Sequence, residues 1–146
     1  MTPDDGEAIA LWRYPGPWAV YDSTAAPDPE EGFWSVVDDQ DRLIGFACFG
    51  FEARVPGQTE QTGVLDVGVG MRPDLVGAGR GAAFAAAVFA HAGEVLTRRP
   101  GEVPRLRAVV QDWNERSVRV LVGAGFEEVG THNVGEARYL VFERDA

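Results

Sequence analysis

The sequence predicts an α+β domain, with a single mixed, mostly antiparallel sheet of about seven strands flanked by helices. Three observations predict it. Short β-branched and aromatic runs bounded by turn signals fill the first half and the end of the chain. Between them the apolar period changes to that of a helix. One strand–helix–strand passage lies among hairpins, which argues for a mixed sheet and against a doubly wound one.

Taken in order, Ala8 to Tyr14 reads as a first strand, followed by the turn-rich Pro15-Gly16-Pro17. Ser23 to Gly32, with two prolines and a run of acids, reads as an exposed loop. Phe33 to Val37 and Leu43 to Phe51 are the next strands, joined by a hairpin turn at Asp38-Asp39-Gln40-Asp41. Arg54 to Gln61 is a polar loop. In the fourth strand, Val64 to Met71, Leu65, Val67, Val69 and Met71 alternate with Asp66, Gly68 and Gly70. A glycine-rich loop, Gly77 to Gly81, leads into a helix reaching about Arg99. Phe84, Ala85, Val88, Phe89, Ala92, Val95 and Leu96 share one face of it. Arg98 and Arg99 complement the C-terminal end of its dipole, and Pro100-Gly101 stops it. Leu106 to Val110 is a strand. Asn114 then reads as an N-cap, with Glu115 in the first turn and Val118, Leu121 and Val122 as the buried stripe. Gly125 ends this second helix. Phe126 to Asn133 and Ala137 to Phe142 form a last hairpin around Gly135. The expected order is β-β-β-β-α-β-α-β-β.

The length, 146 residues, suits one domain spanning 1–146. Thirteen basic and twenty-three acidic residues leave a net charge of −10. That argues against a nucleic-acid partner, whose phosphates need Lys and Arg, and against an anionic membrane surface. Every basic residue is Arg, which excludes Schiff-base chemistry and the lysine of a Walker loop. The single cysteine, Cys48, excludes an internal disulfide and a multi-cysteine zinc site, and no metal is expected. The acidic N-terminus lacks the basic and apolar regions of a signal peptide, and no apolar run of about 20 residues exists. A cytoplasmic protein is expected. The charge is uneven: residues 1–74 carry fourteen acids and four Arg, whereas residues 75–146 carry nine of each. The C-terminal half suits a polyanionic ligand, and the N-terminal half a cationic one.

Glycines between a strand and a helix let the backbone approach a ligand, and the helix N-terminus attracts phosphate. Two nucleotide loops do not fit. Arg80-Gly81 stands where a Walker loop needs Lys-Ser/Thr. A dinucleotide loop needs a third glycine that does not appear until Gly93. The run Met71-Arg72-Pro73-Asp74-Leu75-Val76-Gly77-Ala78-Gly79-Arg80-Gly81-Ala82 instead resembles the acyl-CoA-binding motif of the GNAT N-acetyltransferase superfamily. Val110-Gln111-Asp112-Trp113-Asn114-Glu115-Arg116-Ser117 through Gly125-Phe126 resembles that superfamily's second motif, at the matching distance. Together the motifs cover Val64 to Phe142. Two positions depart from the pattern. Val76 stands at the Gln/Arg position, and Leu121 falls where many members place a proton-donating Tyr.

The resemblance implies transfer of an acetyl group from acetyl-CoA to an amine by direct attack. It divides the chain into an acceptor-side half, 1–61, and an acetyl-CoA-binding half, 62–146. Gly77, Ala78, Gly79, Arg80, Gly81 and Ala82 would take the pyrophosphate. The N–H of Val69 or Met71 would polarise the thioester carbonyl, freed by a bulge that Gly68 and Gly70 suggest. Asn114 would bond the pantetheine arm, and Arg80, Arg116 and Arg119 are candidates for the phosphates. For the base that neutralises the amine, Asp66 comes first and Glu52 second. Trp12, Tyr14, Trp18 and Tyr21 are candidate walls of the acceptor site, suited to a cationic amine. A non-catalytic acyl-CoA sensor on the same fold is the alternative. The protein is expected to be a monomer or a homodimer through the last hairpin or a sheet edge.

Overall fold

The chain opens on a helix, α1 (Pro3–Ala10), where the sequence reading expects a strand. In this computed structural model, which describes residues 1–77, 79–96 and 104–146, the reason is local. Thr2 Oγ1 accepts the Asp5 N–H at 3.1 Å, and the Asp5 carboxylate accepts the Thr2 N–H at 3.2 Å. That reciprocal cap, with Pro3 in the first turn and acids at Asp4 and Asp5, outweighs the β-like run that follows. Ile9 anchors the helix at 1% exposure. The strand count therefore falls from about seven to six.

The remaining elements follow the expected order. They are β1 (Phe33–Val37), β2 (Leu43–Phe49), β3 (Val64–Met71), α2 (Gly81–Val95), β4 (Arg105–Gln111), α3 (Glu115–Gly123), β5 (Glu127–Val134) and β6 (Ala137–Asp145). They build one sheet in the order β1-β2-β3-β4-β6-β5. All neighbours are antiparallel except β3 and β4, the two strands on either side of the α2 crossover. The α2 stripe buries Phe84, Ala85, Val88, Phe89 and Ala92, as its period predicts, although Val95 is left 40% exposed. Arg98, Arg99, Pro100 and Gly101 lie outside the described residues. These α2 side chains meet Ala47, Phe49, Val67, Leu106, Ala108, Val110, Leu121, Phe126 and Phe142 in one core. In α3, Leu121 is buried but Val122 is 57% exposed.

The parallel pair places the site. β3 and β4 are in register only at Val64–Arg105, Leu65–Leu106 and Asp66–Arg107. Beyond those pairs both strands continue, to Met71 and Gln111, each bonded on its outer side alone. The sheet is thus forked at its centre. Val69, on the part of β3 that has lost its β4 partner, is 46% exposed.

Gly68 and Gly70 do not mark a bulge. Their register with Cys48 and Phe46 on β2 runs unbroken. A Cβ at Gly70 would run into the Phe46 ring, and one at Gly68 would come within 2.8 Å of the Cys48 sulfur. These glycines admit the side chains of the next strand. The fork, not a bulge, frees the edge of β3.

Candidate active site

The fork has donors on its β3 side. Arg72 N–H donates to Ile44 O on β2 at 2.8 Å. Successive N–H groups of a strand point to opposite edges, so Gly70 shares the β2 direction, whereas Val69 and Met71 aim into the fork. The two amides picked out by resemblance thus face an edge that lacks a strand partner.

Past Met71 the chain makes a short 3-10 turn at Pro73–Leu75 and enters the glycine loop. Gly77 and Gly79 have φ of +82° and +77°, a conformation other residues adopt only with strain. Ala78 lies outside the described residues. Arg80 is the N-cap of α2, with no side-chain cap bond and no acid in the first turn. The other two helices are treated differently. α1 has its capping box, and α3 has Asn114 Oδ1 on the Ser117 N–H at 3.2 Å plus Glu115. The start of α2 therefore offers the N–H groups of Gly81, Ala82 and Ala83, and the positive dipole end, to an outside anion.

α3 closes against this loop. A Cβ at Gly77 would lie 3.7 Å from Arg116 Nη2, and one at Gly81 would lie 3.4 Å from Val120 Cγ2. Arg116 also stands over the Trp18 ring at 5.1 Å, which fixes a cation beside the loop. Arg80 and Arg119 are exposed, and neither has an ion-pair partner among the described residues.

The segment after α1 caps the open end of the fork. Tyr14 Oη donates to Met71 O at 2.6 Å, and the Tyr14 N–H donates to Asp22 Oδ1 at 2.8 Å. Tyr21 Oη accepts from Asn114 Nδ2 at 3.0 Å. The Trp113 ring stands edge-on to Trp18 at 5.7 Å and 6.0 Å from Tyr21. Of the four expected aromatic walls, Tyr14 thus reaches the end of β3, while Trp18 and Tyr21 pack on Trp113 beside the start of α3. Trp12 instead packs on Phe46 at 6.4 Å, over β2. Burial pushes the Tyr14 phenol up to about 12, helped by the Asp22 carboxylate, and burial also raises Tyr21. Asn114 is 4% exposed. With one lone pair on Ser117 and one N–H on Tyr21, it keeps one of each for another partner.

Asp66 is the main correction. Its carboxylate accepts from Arg107 Nε at 2.5 Å and Nη2 at 3.1 Å, and from Arg54 Nε at 2.8 Å. It is 2% exposed, and Arg107 also bonds Thr59 O at 2.8 Å. A buried carboxylate held by two guanidiniums is not free to take a proton from an amine. It ties β3, β4 and the 50–63 loop together at the last register pair before the fork opens. Arg54 and Arg107 were not singled out from the sequence. The signal was present, since Arg107 is a lone charge in the apolar strand 106–110, as Asp66 is in 64–71.

Glu52 is the carboxylate that remains. It lies in a 3-10 turn, Gly50–Ala53, packed on β3 beside Gly68, whose Cβ would meet Ala53 Cβ at 3.6 Å. Among the described residues it has no ion-pair partner. It lines an open cavity of about 450 Å³ with Phe51, Arg54 and Gln58. Cys48 is buried behind it. Burial first, and then the Glu52 charge, push that thiol up to about 12, consistent with a packing role. Among the described residues, no group of three or more His, Cys, Asp or Glu could hold a metal ion. No described helix is long and apolar enough to cross a membrane.

Comparisons with known proteins bear on this geometry. A search of curated proteins by sequence finds no match. Among solved structures, an aminoglycoside acetyltransferase in complex with coenzyme A superposes with a TM-score of 0.70 at 18% identity, covering 99% of this chain and 91% of that one. A GNAT-family acetyltransferase from Bacillus anthracis gives 0.69 at 15% identity, covering 99% and 91%. A GnaT-family acetyltransferase from Bordetella pertussis gives 0.60 at 22% identity, covering 77% of this chain and 64% of its own length. At these identities the likeness is one of fold. The model of the acetyltransferase (GNAT) domain family matches residues 3–127, well over half of the sequence. The chain belongs to the GNAT acetyltransferase family.

Proposed function

We propose that the protein transfers the acetyl group of acetyl-CoA to the amine of a cationic small molecule or peptide, in one ternary complex. The forked sheet with an uncapped helix start at its mouth carries this reading. The residues present suit the cosubstrate. Gly77, Gly79 to Ala82 and the first turn of α2 offer backbone donors to the pyrophosphate, with Arg116 alongside and Arg80 and Arg119 within the same half. Val76 supplies no polar side chain, so the loop relies on its backbone. Asn114 has a donor and an acceptor left for the pantetheine amides.

The chemistry needs three things from the chain. Val69 and Met71 N–H groups in the fork stabilise the charge that grows on the thioester oxygen. Glu52, which lines the open cavity beside β3 and has no ion-pair partner among the described residues, takes the proton of the attacking ammonium, directly or through water. Tyr14, Trp18 and Tyr21 wall the acceptor and exclude water. The acidic balance of residues 1–74 favours a cationic amine. The structural neighbour that acts on aminoglycosides supports the same class, since aminoglycosides carry several amines.

A non-catalytic acyl-CoA sensor is favoured by one observation. Leu121 lies in the core, where no hydroxyl can serve the leaving thiolate. The two readings separate in a single pair of measurements. Acetyl-CoA at about 100 times its Kd adds roughly 2.7 kcal/mol and raises Tm by about 5–10 °C under either reading. Release of free thiol on adding polyamines, aminoglycosides or peptide N-termini occurs only with the enzyme. No thermal shift at millimolar acetyl-CoA rejects both.

A further inference from the structure

With Leu121 in the core, the leaving sulfur needs a proton from elsewhere. Two tyrosine hydroxyls flank the open end of the fork, and their hydrogen bonds distinguish them. Tyr14 stands on the β3 side. Its partner is the Met71 carbonyl, which can only accept, so the Tyr14 proton is committed there. Tyr21 stands on the β4 side, at the start of α3. Its partner is the Asn114 amide nitrogen, which can only donate, so the Tyr21 oxygen accepts and its own proton is uncommitted. Tyr139, which meets Gln111 Nε2 only at 3.5 Å, belongs to β6, one strand farther from the fork. Asn114 caps α3 and is 4% exposed, so Tyr21 is held by a fixed donor.

We propose that Tyr21 is the general acid of the transfer, delivering its phenolic proton to the thiolate of coenzyme A as the acetyl group leaves. The proposal rests on the acetyl-transfer reading above. The amine nitrogen forms its bond to the thioester carbon, the carbon–sulfur bond breaks, and the sulfur takes the Tyr21 proton. The nitrogen's surplus proton leaves through Glu52 or water, and solvent restores the phenol. The products are a neutral amide and free coenzyme A thiol, with protons balanced. Asn114 has a clear part here. Its N–H on the Tyr21 oxygen stabilises the phenolate during the instant it lacks its proton. A phenol is protonated at neutral pH, and partial burial raises Tyr21 further, so it enters each cycle carrying its proton.

The test is Tyr21→Phe, which removes the proton and keeps the ring against Trp113. Expected are a fall in kcat of about 10²–10⁴-fold, the range for a lost general acid, and a KM for acetyl-CoA within about threefold of wild type. The thermal shift with acetyl-CoA persists. An unchanged kcat, or a loss confined to KM, overturns the proposal while leaving the transfer reading intact. Wild-type protein that binds acetyl-CoA but releases no thiol with any amine refutes the transfer reading itself, and Tyr21's role with it. A second variant guards against a folding effect. Fluorotyrosine at position 21 has a more acidic phenol and keeps the shape, so the alkaline limb of the kcat profile moves to lower pH. An unmoved limb overturns the proposal.

Discussion

Replacing Asp66 with Asn separates a structural carboxylate from a catalytic one. The Asp66 and Arg107 side chains are 2% and 6% exposed, and Arg54 adds a second guanidinium at 15%. Asn keeps the volume and removes the charge. Arg107 then stays buried with the Thr59 carbonyl as its remaining strong acceptor. Removing one partner of a buried pair costs about 3–5 kcal/mol, because the other charge is left uncompensated. For a chain of this length each kcal/mol lowers Tm by roughly 2–4 °C, so Asp66→Asn should melt about 6–20 °C below wild type. Urea unfolding at neutral pH should show a lower midpoint with an unchanged slope. The folded fraction, assayed well below its midpoint, should retain turnover within about tenfold, since Glu52 and not Asp66 carries the proton in this account. A variant within 1 kcal/mol of wild type in stability, but slower by about 100-fold or more, would refute the reasoning and restore Asp66 as the base.

Two further predictions concern the loop and the buried thiol. Ala82→Asp places an acid in the first turn of α2, where the dipole favours it by about 0.3–1 kcal/mol. Stability should hold or rise while the acetyl-CoA thermal shift disappears; a retained shift would move the phosphate site away from this helix start. Cys48, raised from 9.0 to about 12 by burial and the Glu52 charge, should resist thiol reagents at pH 8 in the native protein and react once unfolded. Because the folded thiol is the weaker acid, its contribution to stability is full below pH 9 and is lost as pH climbs toward 12. Cys48→Ala should therefore flatten the alkaline decline in unfolding free energy, and an identical decline would show that the thiol titrates normally.

The chain shows which features are local and which are not. Most of the α2 stripe, Leu121 of α3, the Asn114 cap and the last hairpin around Gly135 were legible because period, cap and turn chemistry act over a few residues, whereas Val95 and Val122 share the period but are left exposed. The error at the N-terminus was local too. Thr2-Pro3-Asp4-Asp5 is a readable helix start, and the apolar residues behind it drew the reading toward a strand. The glycines of β3 were misread for another reason. Whether such a glycine marks a bulge or makes room for a neighbour depends on what lies on the next strand, here Phe46 and Cys48.

By itself the sequence determined the α+β class, the order of elements after α1, and a glycine-rich turn leading into α2. These follow from residue types at short spacings and from chirality and dipole rules that need no neighbour. Tertiary structure alone decided that β3 and β4 part after Asp66 and Arg107, that Asp66 serves two arginines, and that Tyr21 meets Asn114 across 93 positions of chain. Whether a carboxylate is a base or an anchor, and whether a hydroxyl proton is free or committed, depends on its partners. Those partners come from distant segments, and only folding brings them within hydrogen-bond reach.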